Sequence, residues 1–221
     1  MKLYAIFLAI LMFTPGCLDF NEEGNDQNEG YSTVRMEIFH GESLENASAN
    51  FTIIITLNHS AAPIHAQNMR THVERGNYDM THFHRIIDNF MIQGGDFVNH
   101  DGTGGHAAEW HEYCRGEYST DSSCNGVGEK AWTIPDEADN GLQHFSCFIS
   151  MAKTSPPNTG GSQFFIMPDD IEHHEHLDGV HTVFGEITEG CEHITTISEV
   201  ETLDNDRPVI PVIIHNAAIV E

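Results

Sequence analysis

Short runs of β-branched and aromatic residues, separated by turn-forming residues, constrain the fold of this chain more than any other feature. Residues 34–39 alternate apolar and polar side chains, and residues 51–57 read FTIIITL; both patterns are typical of β-strands. Further strand-like runs lie at residues 83–87, 90–97, 145–152, 163–167, 182–187 and 209–220, the last long enough for one or two strands. Two segments, residues 63–76 and 191–200, have the apolar spacing of helices. Two helices are too few for a series of β-α-β units, so the sequence predicts a mainly β domain, a sandwich or a barrel.

The N-terminus has the layout of an export signal. Lys2 is followed by an apolar run over residues 3–13, which is too short to span a bilayer. Residues 14–17 read TPGC and resemble a lipoprotein signal, in which cleavage precedes a cysteine that becomes lipidated. We therefore expect residues 1–16 to be a signal peptide. We also expect a lipid on Cys17 to anchor the protein outside the cytoplasmic membrane, as its only membrane contact. Simple signal cleavage nearby and an uncleaved anchor are the alternatives.

The next segment has almost no apolar residues. Residues 17–30 are rich in Asn, Glu, Asp and Gly, a composition that cannot bury enough apolar surface to fold. The sequence predicts an acidic flexible tether over residues 17–30 and a single domain over residues 31–221, a length that suits one domain.

The charge balance limits the partners. Asp and Glu number 34 against 9 Lys and Arg, which gives a formal net charge of −25. A surface of this sign repels phosphate backbones, so we expect no nucleic-acid partner. The acidic residues are scattered, which favours a solvated, self-repelling surface and a monomer. An acidic surface for a protein partner is the other interpretation.

The predicted export affects how the cysteines are interpreted. Cys114 and Cys124 lie in a polar stretch, where a disulfide is expected in an oxidising compartment. A zinc site that includes His106 and His111 is the alternative, although no CxxC spacing supports it. Cys147 lies in an apolar run, and Cys191 opens the second helical pattern. Both are interpreted as buried thiols, and their pairing with each other stays open.

Three motifs carry a family resemblance. Residues 83–97 read FHRIIDNFMIQGGDF and precede GTGG at residues 102–105; residues 150–153 read SMAK and precede PNTGGSQFFI at residues 157–166; residues 177–185 read LDGVHTVFG. In order, spacing and content these motifs resemble those of the cyclophilins, a family of peptidyl-prolyl cis-trans isomerases. The resemblance covers nearly all of the predicted domain. It implies a closed eight-stranded antiparallel β-barrel capped by two α-helices.

The resemblance also implies a chemistry that needs no cofactor. Rotation about a peptide bond has a barrier of about 18–20 kcal/mol, and uncatalysed X-Pro exchange takes tens to hundreds of seconds. In the twisted state the proline nitrogen regains a lone pair, which a fixed donor can stabilise. Arg85 matches the family's donor. The substrate-binding positions that match are Phe90, Met91, Gln93, Ala152, Lys153, Gln163, Phe165, Leu177 and His181.

Among these residues, the apolar ones and His181 match the family's proline-ring pocket and its edge. Gln93 matches a glutamine that binds the substrate backbone, and Lys153 matches a position that offers its own main chain. Residues 106–130 look like an insertion, which is expected to border the groove and tune which peptides enter. The implied partners are proline-containing segments of exported proteins.

Two other functions stay open. One is a proline-peptide-binding or chaperone module on the same fold without turnover. The other is a metal-binding surface lipoprotein that uses His173, His174, Glu175 and His176, because short His-rich tracts can bind zinc or copper. Adjacent ligands on one short loop seldom complete a tetrahedral site, so no metal site is predicted.

Overall fold

A computed structural model describes residues 30–220 of the chain. The predicted signal peptide, the predicted lipidation site Cys17 and all of the predicted tether except residue 30 lie outside the described residues. Within residues 30–220, no helix is long and apolar enough to cross a bilayer.

The described residues form eleven strands and two α-helices. The strands are β1 (Tyr31–His40), β2 (Ala49–Asn58), β3 (Thr81–His82), β4 (Arg85–Ile87), β5 (Met91–Gly94), β6 (Tyr113–Cys114), β7 (Glu117–Tyr118), β8 (Phe148–Met151), β9 (Phe164–Ile166), β10 (Val183–Glu189) and β11 (Val212–Val220). The helices are α1 (Pro63–Glu74) and α2 (Cys191–Ser198). The prediction of a mainly β domain with two helices is therefore confirmed.

Nine of the strands form one sheet in the order β3-β11-β1-β2-β10-β8-β9-β5-β4, and every pair is antiparallel. The two end strands, β3 and β4, are separated in the chain by only Phe83 and His84. The sheet must therefore curl until its ends come close, as twisted antiparallel sheets do. No ladder joins β3 to β4 within the described residues. The described residues thus form a curled sheet of nine strands, and they do not show the expected closure into an eight-stranded barrel.

The main core lies inside this curl. Alternate residues of β2, namely Ile53, Ile55 and Leu57, are fully buried, which is the two-residue period of a strand with one face inward. Both helices pack against this core, α1 through Met69 and α2 through Ile194, which belong to the same apolar cluster.

Two disulfides connect the described cysteines. One joins Cys114 to Cys124, and the other joins Cys147 to Cys191. The second pair differs from the expected two buried thiols. Because β8 and β10 are antiparallel neighbours, Cys147, the residue before β8, lies beside the C-terminal part of β10, and Cys191 follows β10 by two residues. The Ile187 N–H donates to the Cys147 carbonyl at 2.7 Å, which brings the two cysteines within disulfide range.

Candidate active site

The floor of the site is a row of side chains across three neighbouring strands. Arg85 of β4 is the cross-strand partner of Gln93 of β5, and Gln93 is the partner of Phe165 of β9. Directly opposed residues in antiparallel strands present their side chains on the same face. The register therefore sets a guanidinium, a carboxamide and an aromatic ring side by side, although Phe165 is far from the other two residues in sequence.

A cavity of about 210 Å³ lies over this row. It is lined by Arg85, Phe90, Met91, Gln93, Ala152, Lys153, Phe165, Leu177 and His181. These are all of the residues that the sequence predicted for catalysis and substrate binding except Gln163. Gln163 lies in contact with the site, because the Gln93 Nε2 donates to its Oε1 at 3.0 Å.

The apolar part of the cavity is separate from the main core. Met91 and Phe165 are 2% and 5% exposed, and with Met167 they form a second small apolar cluster. Phe90, Ala152 and Leu177 pack against this cluster and are partly buried. The result is a dry, shallow surface that can accept a small apolar ring.

Arg85 lies at the polar edge of the cavity. Its Nε donates to the Asp206 Oδ2 at 3.2 Å, and the Ile86 N–H donates to the Asp206 carbonyl at 2.8 Å. Among residues 30–220, neither Nη of Arg85 has a hydrogen-bond partner, so both can donate to a bound ligand. Sequence analysis missed Asp206, since it lies outside the motifs and 121 positions away from Arg85.

Gln163 connects the site to a glycine-rich loop. Its Nε2 donates to the carbonyls of Gly102 and Gly104, at 2.9 and 2.8 Å, while its Oε1 accepts from Gln93. The Gln93 side chain is thereby held in one orientation. Gln163 is thus a positioning residue for Gln93 at this cavity.

Asp96 holds the glycine-rich loop in place by hydrogen bonds to its backbone. It is fully buried, and its carboxylate accepts backbone N–H groups of the following loop at 2.9–3.3 Å, from Val98, Asn99, Asp101, Gly102 and Gly104. Burial by itself would raise the pKa of Asp96, but these N–H donors outweigh it and hold the pKa below its usual value. Asp96 is the penultimate residue of the first motif, yet the sequence analysis assigned it no role.

His181 forms one side of the cavity as a neutral imidazole. Burial lowers the pKa of His181 from its ordinary value, which favours the neutral ring at pH 7. Its Nδ1 donates to the Met151 carbonyl at 2.9 Å, which leaves Nε2 as an acceptor. The ring stands edge-on to Phe165, with centroids 5.4 Å apart. The geometry suits packing and hydrogen bonding to a substrate.

The charge of Lys153 is paired. Its side chain is 5% exposed and pairs with Asp136, with the Nζ 3.5 Å from an Oδ2 atom. A contact between the Lys153 main chain and a ligand stays a prediction from the resemblance, and this ion pair is compatible with it.

The histidine-rich tract supports the cavity wall. His144 and His173 both donate to the Asp178 carboxylate, at 2.8 and 2.7 Å, while His174 and His176 pack against Phe90. Burial would raise the pKa of Asp178, but these donors and the His144 backbone N–H lower it to about 2. Within the part of the chain that the structure describes, no group of three or more His, Cys, Asp or Glu residues could hold a metal ion.

Comparisons with known proteins agree with this geometry. The family model described as cyclophilin type peptidyl-prolyl cis-trans isomerase/CLD matches residues 44–219. Among solved structures, the chain is similar to a cyclophilin type peptidyl-prolyl cis-trans isomerase of Cryptosporidium parvum. The TM-score is 0.66 and the identity 25%, over 86% of this chain and 98% of that one.

Curated relatives carry the same family name. Peptidyl-prolyl cis-trans isomerase-like 1 of Gibberella zeae is 40% identical over 77% of this chain and 90% of its own length. Peptidyl-prolyl cis-trans isomerase cyp18 of Streptomyces antibioticus is 32% identical over 79% of this chain and 95% of its own. Peptidyl-prolyl cis-trans isomerase 9 of Schizosaccharomyces pombe is 37% identical over 90% of this chain, which spans only 28% of that protein.

Proposed function

Because the chain belongs to the family of cyclophilin-type peptidyl-prolyl cis-trans isomerases, which are enzymes, we propose that it accelerates rotation of X-Pro bonds by a donor from Arg85 to the prolyl nitrogen. One observation carries the proposal. The residue that offers unpaired Nη donors, Arg85, and the apolar surface of Met91 and Phe165 line the same cavity.

The chemistry follows from the electronic structure of the amide. Twisting the C–N bond breaks its resonance, and the nitrogen becomes a better hydrogen-bond acceptor than in either planar isomer. A donor aimed at that nitrogen binds the twisted state more tightly than the ground states, so it lowers the barrier. Arginine suits the role, since it stays charged and offers several N–H groups in a rigid fork.

The rest of the cavity holds the two ends of the rotating bond. The proline ring packs on Met91 and Phe165, and the carbonyl before it swings past neutral His181. Gln93, oriented by Gln163, hydrogen-bonds the substrate main chain. No bond is made or broken, so the reaction needs no redox or group-transfer cofactor.

A non-catalytic binding module is the alternative function. It would need the apolar pocket, but it would gain little from an arginine with free donors in the lining of that pocket. The presence of Arg85 in the lining therefore favours catalysis.

Turnover by the full chain tests the proposal. We expect exchange between the cis and trans forms of a short Ala-Pro-Phe peptide, measured by NMR exchange spectroscopy, to become much faster than the uncatalysed tens to hundreds of seconds. The rate should be the same with and without a chelator. A folded protein that leaves the exchange rate unchanged would contradict the proposal. Peptide chemical shifts that move without faster exchange would identify the binding module instead.

We further propose that the enzyme acts on proteins exported from the cytoplasm, from a lipid anchor on Cys17. The TPGC sequence at residues 14–17 supports the anchor, and the two disulfides support an oxidising compartment, where structural disulfides persist. Mass spectrometry of the protein from the membrane fraction should find a chain that begins at a lipidated Cys17. A soluble chain without a lipid would contradict the anchor.

A further inference from the structure

The cavity over Arg85, Gln93 and Phe165 is called the proline cavity below, after the ring it is proposed to bind. A second cavity adjoins it. Its volume is about 390 Å³, and it shares Gln93, Ala152 and Lys153 with the proline cavity as a common wall. A peptide whose proline occupies the smaller cavity can therefore place a neighbouring side chain in the larger one.

The charge of this second cavity is opposite to that of the protein. The chain carries 34 Asp and Glu residues, yet none of them lines this cavity, while Arg115, Lys130 and Lys153 do. The charge of Lys153 is offset by Asp136. Arg115 and Lys130 are exposed and make no ion pair with any residue from 30 to 220. Two cationic residues without an ion-pair partner in that range thus line a cavity that no acidic residue lines.

The backbone conformation of Arg115 is a second, independent observation in favour of a cation at this cavity. Arg115 and Gly116 connect β6 to β7, and both have positive φ angles, 52° and 89°. A two-residue hairpin loop with this geometry favours Asn, Asp or Gly at its first position, because a larger side chain is strained there. An arginine at this position keeps a long cation beside the cavity at a cost in local backbone strain.

The predicted insertion, residues 106–130, carries both cations on a cross-linked segment. The Arg115 N–H donates to the Ala131 carbonyl at 2.8 Å. The Cys114–Cys124 disulfide closes the loop of residues 114–124 within the insertion. The Trp132 Nε1 donates to the Ser122 carbonyl at 2.8 Å. Gly116 lies so close to Thr159 that a Cβ there would be 2.6 Å from its Cγ2. The insertion is therefore pinned against the loop that forms the opposite wall.

We propose that Arg115 and Lys130 make this second cavity a subsite for a carboxylate side chain, so that the enzyme prefers X-Pro bonds with Asp or Glu on one flank of the proline. This inference rests on the proposed isomerase function and names its substrate class. The two cations attract a carboxylate across partly exposed surface, where each such pair makes a modest, salt-dependent contribution.

A matched peptide series tests the subsite with the full chain. Ten-residue peptides with one Ala-Pro bond carry either Glu or Gln at one of three positions before or after the proline. We expect kcat/KM for Glu to exceed that for Gln roughly fivefold at one position. The double variant Arg115→Gln/Lys130→Gln should lower that ratio to about one while leaving turnover of the Gln peptides unchanged.

The control removes the same charge elsewhere. Arg35→Gln/Arg70→Gln deletes two exposed cations that pair with Glu37 and Glu74, and it should keep the Glu preference. Equal turnover of Glu and Gln peptides at every position, or a preference that survives in the Arg115→Gln/Lys130→Gln protein, would overturn the inference. If no peptide is turned over, the proposed function fails. In that case fluorescence anisotropy measures binding of the same peptides, and the ratio of the Kd for the Gln peptide to that for the Glu peptide tests the inference.

Discussion

Replacing Arg85 by alanine is expected to lower kcat/KM for an Ala-Pro-Phe peptide by roughly 100- to 1000-fold, the range found when one preorganised transition-state donor is removed. The loss should appear mainly in kcat, because the donor interacts with the twisted state more strongly than with either planar isomer. NMR exchange spectroscopy at several substrate concentrations measures both parameters.

Matched variants separate this effect from general damage. Arg70→Ala removes an arginine of similar exposure, which pairs with Glu74 on α1, and it should retain full activity. Arg85→Lys keeps the charge but loses the planar fork, so an intermediate rate is expected. The melting temperature of Arg85→Ala should stay close to that of the parent, since the Arg85–Asp206 pair is largely exposed. Near-parental kcat in a folded Arg85→Ala protein would contradict the donor mechanism.

Removing the Cys147–Cys191 disulfide, by Cys147→Ala/Cys191→Ala, is expected to lower the free energy of unfolding by about 4 kcal/mol. The disulfide closes a loop with a sequence separation of 44, so its loss frees the unfolded chain. Urea denaturation at pH 7 measures the change as a lower midpoint, with a steeper slope because the freed unfolded chain exposes more surface.

The second disulfide supplies the comparison. Cys114 and Cys124 are only 10 residues apart, so Cys114→Ala/Cys124→Ala should cost less, about 3 kcal/mol on the same chain-entropy argument. A Cys147→Ala/Cys191→Ala protein with an unchanged midpoint would show that the longer link does not constrain the unfolded state.

The long regular elements could be predicted from local pattern. The helix predicted over residues 63–76 is observed as Pro63–Glu74, and the strand predicted over residues 51–57 is observed as Ala49–Asn58. Residues 90–97 form a shorter strand, Met91–Gly94, because Gly95 adopts a positive φ of 87° and leaves the ladder. The short pairs β3 and β6–β7 were not predicted, since two residues carry no periodicity.

The sequence by itself determined the β class, the two helices and the residues of the proline cavity. These depend on alternation within one strand or on motifs of 15 residues or fewer, which remain visible in the linear chain. The tertiary structure decided which distant segments meet: Asp206 beside Arg85, Cys147 beside Cys191, and Arg115 at a cavity next to Gln93. Strand order and the curl of the sheet set these contacts. They arise from packing of the whole chain and leave no trace in the spacing of any one segment.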